Sequence, residues 1–79
     1  MIIDMEPFKR LGDSKAQAVK VVEEASELLY AVAHGSYADV SEEWGDVMQA
    51  LVNLAEVVGI DTDEAVRACN ERNARRGRL

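Results

Sequence analysis

Two long runs of apolar residues spaced in alternating steps of four and three constrain this chain more than any other feature. Ala18, Val22, Ala25, Leu29 and Val32 form one stripe, and Val40, Trp44, Val47, Leu51, Leu54 and Val58 form the other. That spacing is the buried face of an amphipathic helix. No period-two alternation is long enough for a strand, and the single proline, Pro7, lies ahead of both stripes. Ser14, or Asp13 in its place, can cap a first helix reaching about His34. "HGSY" breaks the pattern, with Gly35 suited to a helix C-cap. A second helix runs to about Val58 and ends at Gly59. "DTDE" reads as a capping box, Asp61 at the N-cap and Glu64 at N3, opening a third helix that stops at Gly77.

The expected fold is all-α: a helical hairpin plus a third helix, with residues 1–13 as an N-terminal arm and residues 14–79 as the domain. Seventy-nine residues bury little surface alone. Val19, Val21, Leu28 and Tyr30 lie outside the first stripe, and Met48, Val52, Ala55 and Val57 outside the second. One partner helix cannot cover so much, so a homodimer or homotetramer is expected, packing hairpins into a four-helix bundle. Gly45 costs about 1 kcal/mol in a helix interior relative to alanine, and a close neighbour is expected there.

Cys69 is the only cysteine, so no disulfide forms within one chain, and a reducing, cytoplasmic setting fits. The N-terminus "MIIDMEPFKR" lacks the cationic start and apolar run of a signal peptide. No apolar stretch approaches the roughly 20 residues of a membrane span. The net charge of −6 argues against a nucleic-acid duplex as partner. The charge is uneven: residues 1–66 hold 14 acidic against 4 basic side chains, whereas Arg67, Arg72, Arg75, Arg76 and Arg78 crowd the tail. Arginines at a helix end suit the helix dipole, but only in the last turn.

The chemistry lies in four carboxylates. Glu24 and Glu27 are spaced i, i+3 on the first helix, as are Glu43 and Asp46 on the second, so each pair shares one side of its helix. At about 100° per residue, Glu43 points from within the apolar arc of the second helix, near −40° from Val47, and Asp46 from its edge. Glu24 and Glu27 lie in a polar arc with Lys20 and Glu23. Antiparallel helices facing along these flanks would make all four converge. Such a cluster needs protons or a cation, and a hard divalent ion with oxygen ligands fits: Mg2+, with Mn2+ as an alternative. Zinc fits poorly, because His34 is the only histidine and Cys69 is remote. A ferritin-like di-iron site would want Glu-x-x-His pairs, which are missing.

"EEASE", followed after 15 residues by "EWGD", resembles the E-E-x-x-E…E-x-x-D pattern of the MazG-like all-alpha nucleotide pyrophosphohydrolases, over about residues 14–77. The tail "CNERNARRG" resembles that family's K-x-x-x-N-x-x-R segment. The resemblance implies hydrolysis of a nucleoside triphosphate between the α and β phosphates with Mg2+, giving a monophosphate and pyrophosphate. It implies Glu24, Glu27, Glu43 and Asp46 as catalytic metal ligands, and Asn73 and Arg76 as substrate-binding residues. The family lysine falls on Cys69, leaving one phosphate-facing charge unmatched. Lys20, Arg72 and Arg75 are substitutes, although for Lys20 a salt bridge to Glu24 is expected. The aromatics available for stacking on a base are Phe8, Tyr30, Tyr37 and Trp44. Phosphoribosyl-ATP pyrophosphatase, which has a similar first helix, is an alternative; "EEWGDVMQ" is more MazG-like. A non-catalytic acidic interaction module is another, but it has no use for Glu43 on an apolar flank.

Overall fold

The computed structural model describes residues 4–79; the first three residues of the N-terminal arm lie outside the described residues. Three helices follow the arm: α1 Ser14–His34, α2 Tyr37–Val58 and α3 Thr62–Arg75, with no strand among the described residues. No described helix is long and apolar enough to cross a membrane.

Local chemistry sets each boundary. Asp13, not Ser14, caps α1: its carboxylate accepts from the Ala16 N–H at 2.8 Å. The hairpin link is two residues, Gly35 and Ser36. Gly35 is the C-cap of α1, as expected, its N–H donating to the Ala31 carbonyl; with φ −99° and ψ 179° its backbone is extended and open to any residue. Glycine is needed for space instead. A Cβ at Gly35 would lie 2.9 Å from the Ala31 carbonyl oxygen and 2.9 Å from the Asp39 side chain. Ser36 and Asp39 form a reciprocal capping box: the Asp39 N–H donates to Ser36 Oγ at 3.2 Å and the Ser36 N–H to Asp39 Oδ2 at 3.0 Å. Gly59 ends α2 in the left-handed region, φ 86°, where a side chain would be strained. Asp61 caps α3 by accepting from the Glu64 N–H at 3.1 Å.

The antiparallel hairpin of α1 and α2 carries the dense helix packing of the described residues. Its seam is not the expected stripe. Ala18, Val22, Ala25, Leu29 and Val32 are all exposed, as are Trp44, Leu51 and Val58; Leu29 is 71% and Trp44 62% open. The α1 seam runs Gln17, Val21, Glu24, Leu28, Ala31, also in steps of four and three but rotated around the helix. The fully apolar stripe faces outward because the chain alone has no surface to cover it. The buried apolar residues are small, Ala31, Ala50, Val52 and Ala55. No neighbour approaches within 4 Å of a Cβ built at Gly45, so the close contact expected there is missing within one chain. Helix α3 buries no residue.

Gly35→Ala should destabilise the hairpin by about 1–3 kcal/mol, the usual cost of an overpacked methyl. Thermal melting checks it, and an unchanged midpoint would show that Asp39 and the Ala31 turn can give way.

Candidate metal centre

The seam of α1 is not uniformly apolar. Glu24 sits midway along it, one heptad beyond Gln17 and one before Ala31. Glu43 enters from α2, one turn before Val47. Glu27, one turn beyond Glu24, flanks the seam and remains exposed. Each of Glu24, Glu27 and Glu43 offers an oxygen within 4.8 Å of the other two.

The electrostatics of this trio are unfavourable as they stand. Two carboxylates at this range repel by roughly 1 kcal/mol in water and several times that where water is excluded. Oε2 of Glu24 and Oε2 of Glu43 are both sealed from solvent and have no hydrogen-bond partner. Each residue as a whole keeps some exposure, and the desolvation is concentrated on one oxygen each. Loss of water pushes both carboxyls above the ordinary value of 4.5, and the charges of Glu27 and Asp46 push the same way. A sealed, unpartnered carboxylate oxygen ordinarily finds a donor. Here the donor set is all carboxylate oxygen, which suits a hard divalent cation.

The other sequence-predicted residues are placed differently. Asp46 is exposed one turn past Glu43, outside the trio of converging oxygens. Lys20 does not bridge to Glu24; its Nζ pairs with Glu23 Oε2 at 3.1 Å on the open surface. Asn73 is half-buried, and its Nδ2 donates to Cys69 Sγ at 3.5 Å. Arg76 is the exposed C-cap residue of α3. Arg72 and Arg75 occupy the last turn of α3, where they suit the dipole.

Two cavities flank the trio, and no residue of α3 lines either. One, of about 480 Å³, is bordered by Glu27 and Glu43 and reaches Tyr30, His34 and Asp39 at the hairpin tip. The rings of Tyr30 and His34 lie 4.6 Å apart, tilted by 46°. The second, of about 330 Å³, is bordered by Glu24 and Asp46 and roofed by the arm. The arm is tied down by side-chain amides: Asn53 Oδ1 accepts from the Phe8 N–H at 3.0 Å, and Gln17 Oε1 from the Gly12 N–H at 2.8 Å. Gln49 Nε2 donates to the Glu6 carbonyl at 2.9 Å and to Asn53 Oδ1 at 2.9 Å. Sequence reasoning missed these amides. Their signal was spacing: Gln17 lies seven residues before Glu24, and Asn53 seven after Asp46.

No curated protein and no solved structure matches this chain. A family model does match: that of the MazG nucleotide pyrophosphohydrolase domain, over residues 13–78. The match runs from the Asp13 cap to the arginines beyond α3 and contains every carboxylate of the cluster. With paired acidic helices folded into one hairpin and this family pattern along nearly the whole chain, the protein belongs to the MazG nucleotide pyrophosphohydrolase domain family.

Proposed function

We propose that this protein is a Mg2+-dependent nucleoside triphosphate pyrophosphohydrolase that cleaves the α–β phosphoanhydride. The observation that carries the reading is the trio of Glu24, Glu27 and Glu43, two of them with a sealed, unpartnered oxygen, in a chain of this family. These three would hold the cation, and Asp46 would join them from the next turn of α2. When bound, Mg2+ (or Mn2+) supplies charge neutralisation and Lewis acidity at the phosphates.

The remaining work falls to the chain's own groups. A carboxylate of the cluster orients the attacking water and takes its proton as the oxygen bonds to the α phosphorus. The bond to the bridging oxygen breaks, and pyrophosphate leaves. The sealed oxygens of Glu24 and Glu43 present fixed charges that need no reorganisation during the step. Lys20 stands beside the Glu24 cavity as a phosphate contact.

A second copy of the chain completes this reading. The outward stripes with Leu29 and Trp44 need a cover, and the buried apolar set is too small for a stable lone domain. Pairing two hairpins gives a four-helix bundle. Helix α3, without dense packing in its own chain, can then bring Asn73 and Arg76 to the phosphates bound by its partner. The lone, exposed Cys69 fits a reducing cytoplasm.

Sedimentation at micromolar concentration should show a homo-oligomer; a well-folded species of 8.7 kDa would sink the idea.

Incubation of a nucleoside triphosphate with Mg2+ should give the monophosphate and pyrophosphate in the phosphorus NMR spectrum. A diphosphate with orthophosphate would refute the assigned bond.

Glu43→Gln should cut activity roughly 100-fold, as loss of a metal-site group does. It should also change stability in a set direction. The wild-type carboxyls at Glu24 and Glu43 are raised, so their contribution favours the fold below their ordinary value of 4.5 and is lost as pH rises through the raised values. The substitution should therefore raise the metal-free melting temperature at pH 7, with the gain fading as pH falls toward 4.5. Mg2+ should raise the wild-type melting temperature more than the mutant's, because a ligand stabilises the state that binds it. Equal Mg2+ shifts together with retained activity would rule out the site.

A further inference from the structure

All four basic side chains of residues 1–66 lie within residues 9–20: Lys9, Arg10, Lys15 and Lys20. Two of them, Arg10 and Lys20, line the cavity roofed by the arm, together with Glu24 and Asp46. No residue of α3 lines this cavity, so its positive charge comes from the arm and α1. Lys20 is committed to Glu23 at 3.1 Å. Arg10 makes no ion pair among the described residues, although two carboxylates border the same space.

The backbone on either side of Arg10 is pinned. Two residues before it, the Phe8 N–H donates to Asn53 Oδ1 on α2 at 3.0 Å; two residues after it, the Gly12 N–H donates to Gln17 Oε1 on α1 at 2.8 Å. Both amides are buried, at 4% and 8% exposure. The arm therefore crosses from one helix of the hairpin to the other, and it bends at residues 9 and 10 between the two anchors. An arginine on a loose terminus pays for ordering when it meets a ligand. Here much of that ordering is already in the fold. Arg10 also lies outside the 13–78 span of the family match, so its position is a property of this chain's own arm.

The lining charges set when Arg10 can act. Its two positive and two negative side chains give the wall no formal net charge. In the proposed reading Glu24 and Asp46 serve the divalent cation, whose charge offsets theirs. The same wall then presents Arg10 unopposed. A planar guanidinium offers paired N–H donors that match two oxygens of a phosphate. We propose that Arg10 is a substrate-binding residue that grips the polyphosphate of the nucleotide, and that it does so once a divalent cation is held by the carboxylate cluster. This role rests on the proposed nucleotide hydrolysis and deepens it. The arm supplies a phosphate contact from the same chain as the cluster, independent of the arginines on α3. As the bond to the bridging oxygen breaks, Arg10 shares the negative charge that gathers on the departing pyrophosphate.

Calorimetric titration with inorganic pyrophosphate, in Mg2+ and in EDTA, tests the contact without requiring turnover. The wild type should bind in Mg2+ and lose most of its affinity in EDTA. Arg10→Ala, at an exposed position, should weaken binding in Mg2+ by roughly tenfold, the scale of a charge-assisted hydrogen bond, and flatten its dependence on salt. Arg10→Lys should restore the salt dependence but only part of the affinity, because an ammonium lacks the fork. Lys9→Ala removes the same charge from the exposed neighbour that does not line the cavity, and should bind as the wild type does. Equal weakening by Lys9→Ala and Arg10→Ala overturns the proposal, since net charge alone would then account for it. So does wild-type affinity in Arg10→Ala, equal wild-type affinity with and without Mg2+, or a wild type that binds no pyrophosphate. The hydrolysis reading fails separately. If pyrophosphate binding depends on Arg10 but no triphosphate releases pyrophosphate, the reaction is lost and the contact stands. If triphosphates are cleaved and Arg10→Ala keeps wild-type pyrophosphate affinity and KM, the reaction stands and the contact is lost.

Discussion

The structure depends on carboxylates placed in a helix–helix seam without donors to meet them. A hairpin of two helices of about 20 residues ordinarily closes over leucines and valines. Here the middle of the seam is Glu24 against Glu43, and the buried apolar residues are three alanines and one valine. The sealed Oε2 atoms oppose folding, since each forgoes hydration without a compensating bond. Protonation offsets such an arrangement, as does anything that binds the folded state. In the proposed reading, that is the cation at the cluster and the second copy over the outward stripes. Stability and function would then share one source.

The seam also explains the arm. Beyond the carboxylates it continues into Gln17 and Asn53, whose oxygens accept backbone N–H groups of residues 8 and 12. An apolar residue at either position would pack the hairpin but leave those N–H groups without a protein acceptor. The polar residues of the seam thus serve two ends: carboxylates at the centre, and amides toward the N-terminus of α1 that fasten a strap. The arm contributes no regular structure, yet it turns an open groove into a roofed cavity.

The helices were legible because their boundaries are local. Asp13, Gly59 and Asp61 act on groups within four residues, and the Ser36–Asp39 box was equally readable as S-x-x-D. The seam was not. Periodicity shows which face is apolar, and on α1 that is the face with Val22 and Leu29. It does not show which face meets the second helix of the same chain. The mixed face with Gln17 and Glu24 does so, and the apolar one stays open. Glu43 was legible as a carboxylate inside an apolar arc, because its angle from Val47 depends on one helix alone. Asp46 and Lys20 depend on rotamers and neighbours, so spacing could not assign their partners. The two amides were overlooked because polar residues at seam spacing read as surface until the arm is seen above them.

The tail follows from the same electrostatics. A chain of net charge −6 repels a triphosphate, and the proposed cation reverses that sign only at the cluster. In the proposed reaction, further contacts to the leaving phosphates would come from positive side chains that lie away from the glutamates. Arginines on α3 meet that condition because the helix stands apart from the α1–α2 seam. Cys69 sharpens the point. A lysine there would add a charge but could not accept from Asn73, because an ammonium has no acceptor. The sulfur does accept, at 3.5 Å from Asn73 Nδ2, and so steadies that amide on the helix face. In the proposed reading, the cysteine fixes one amide and leaves charge contact to the arginines at the end of the helix.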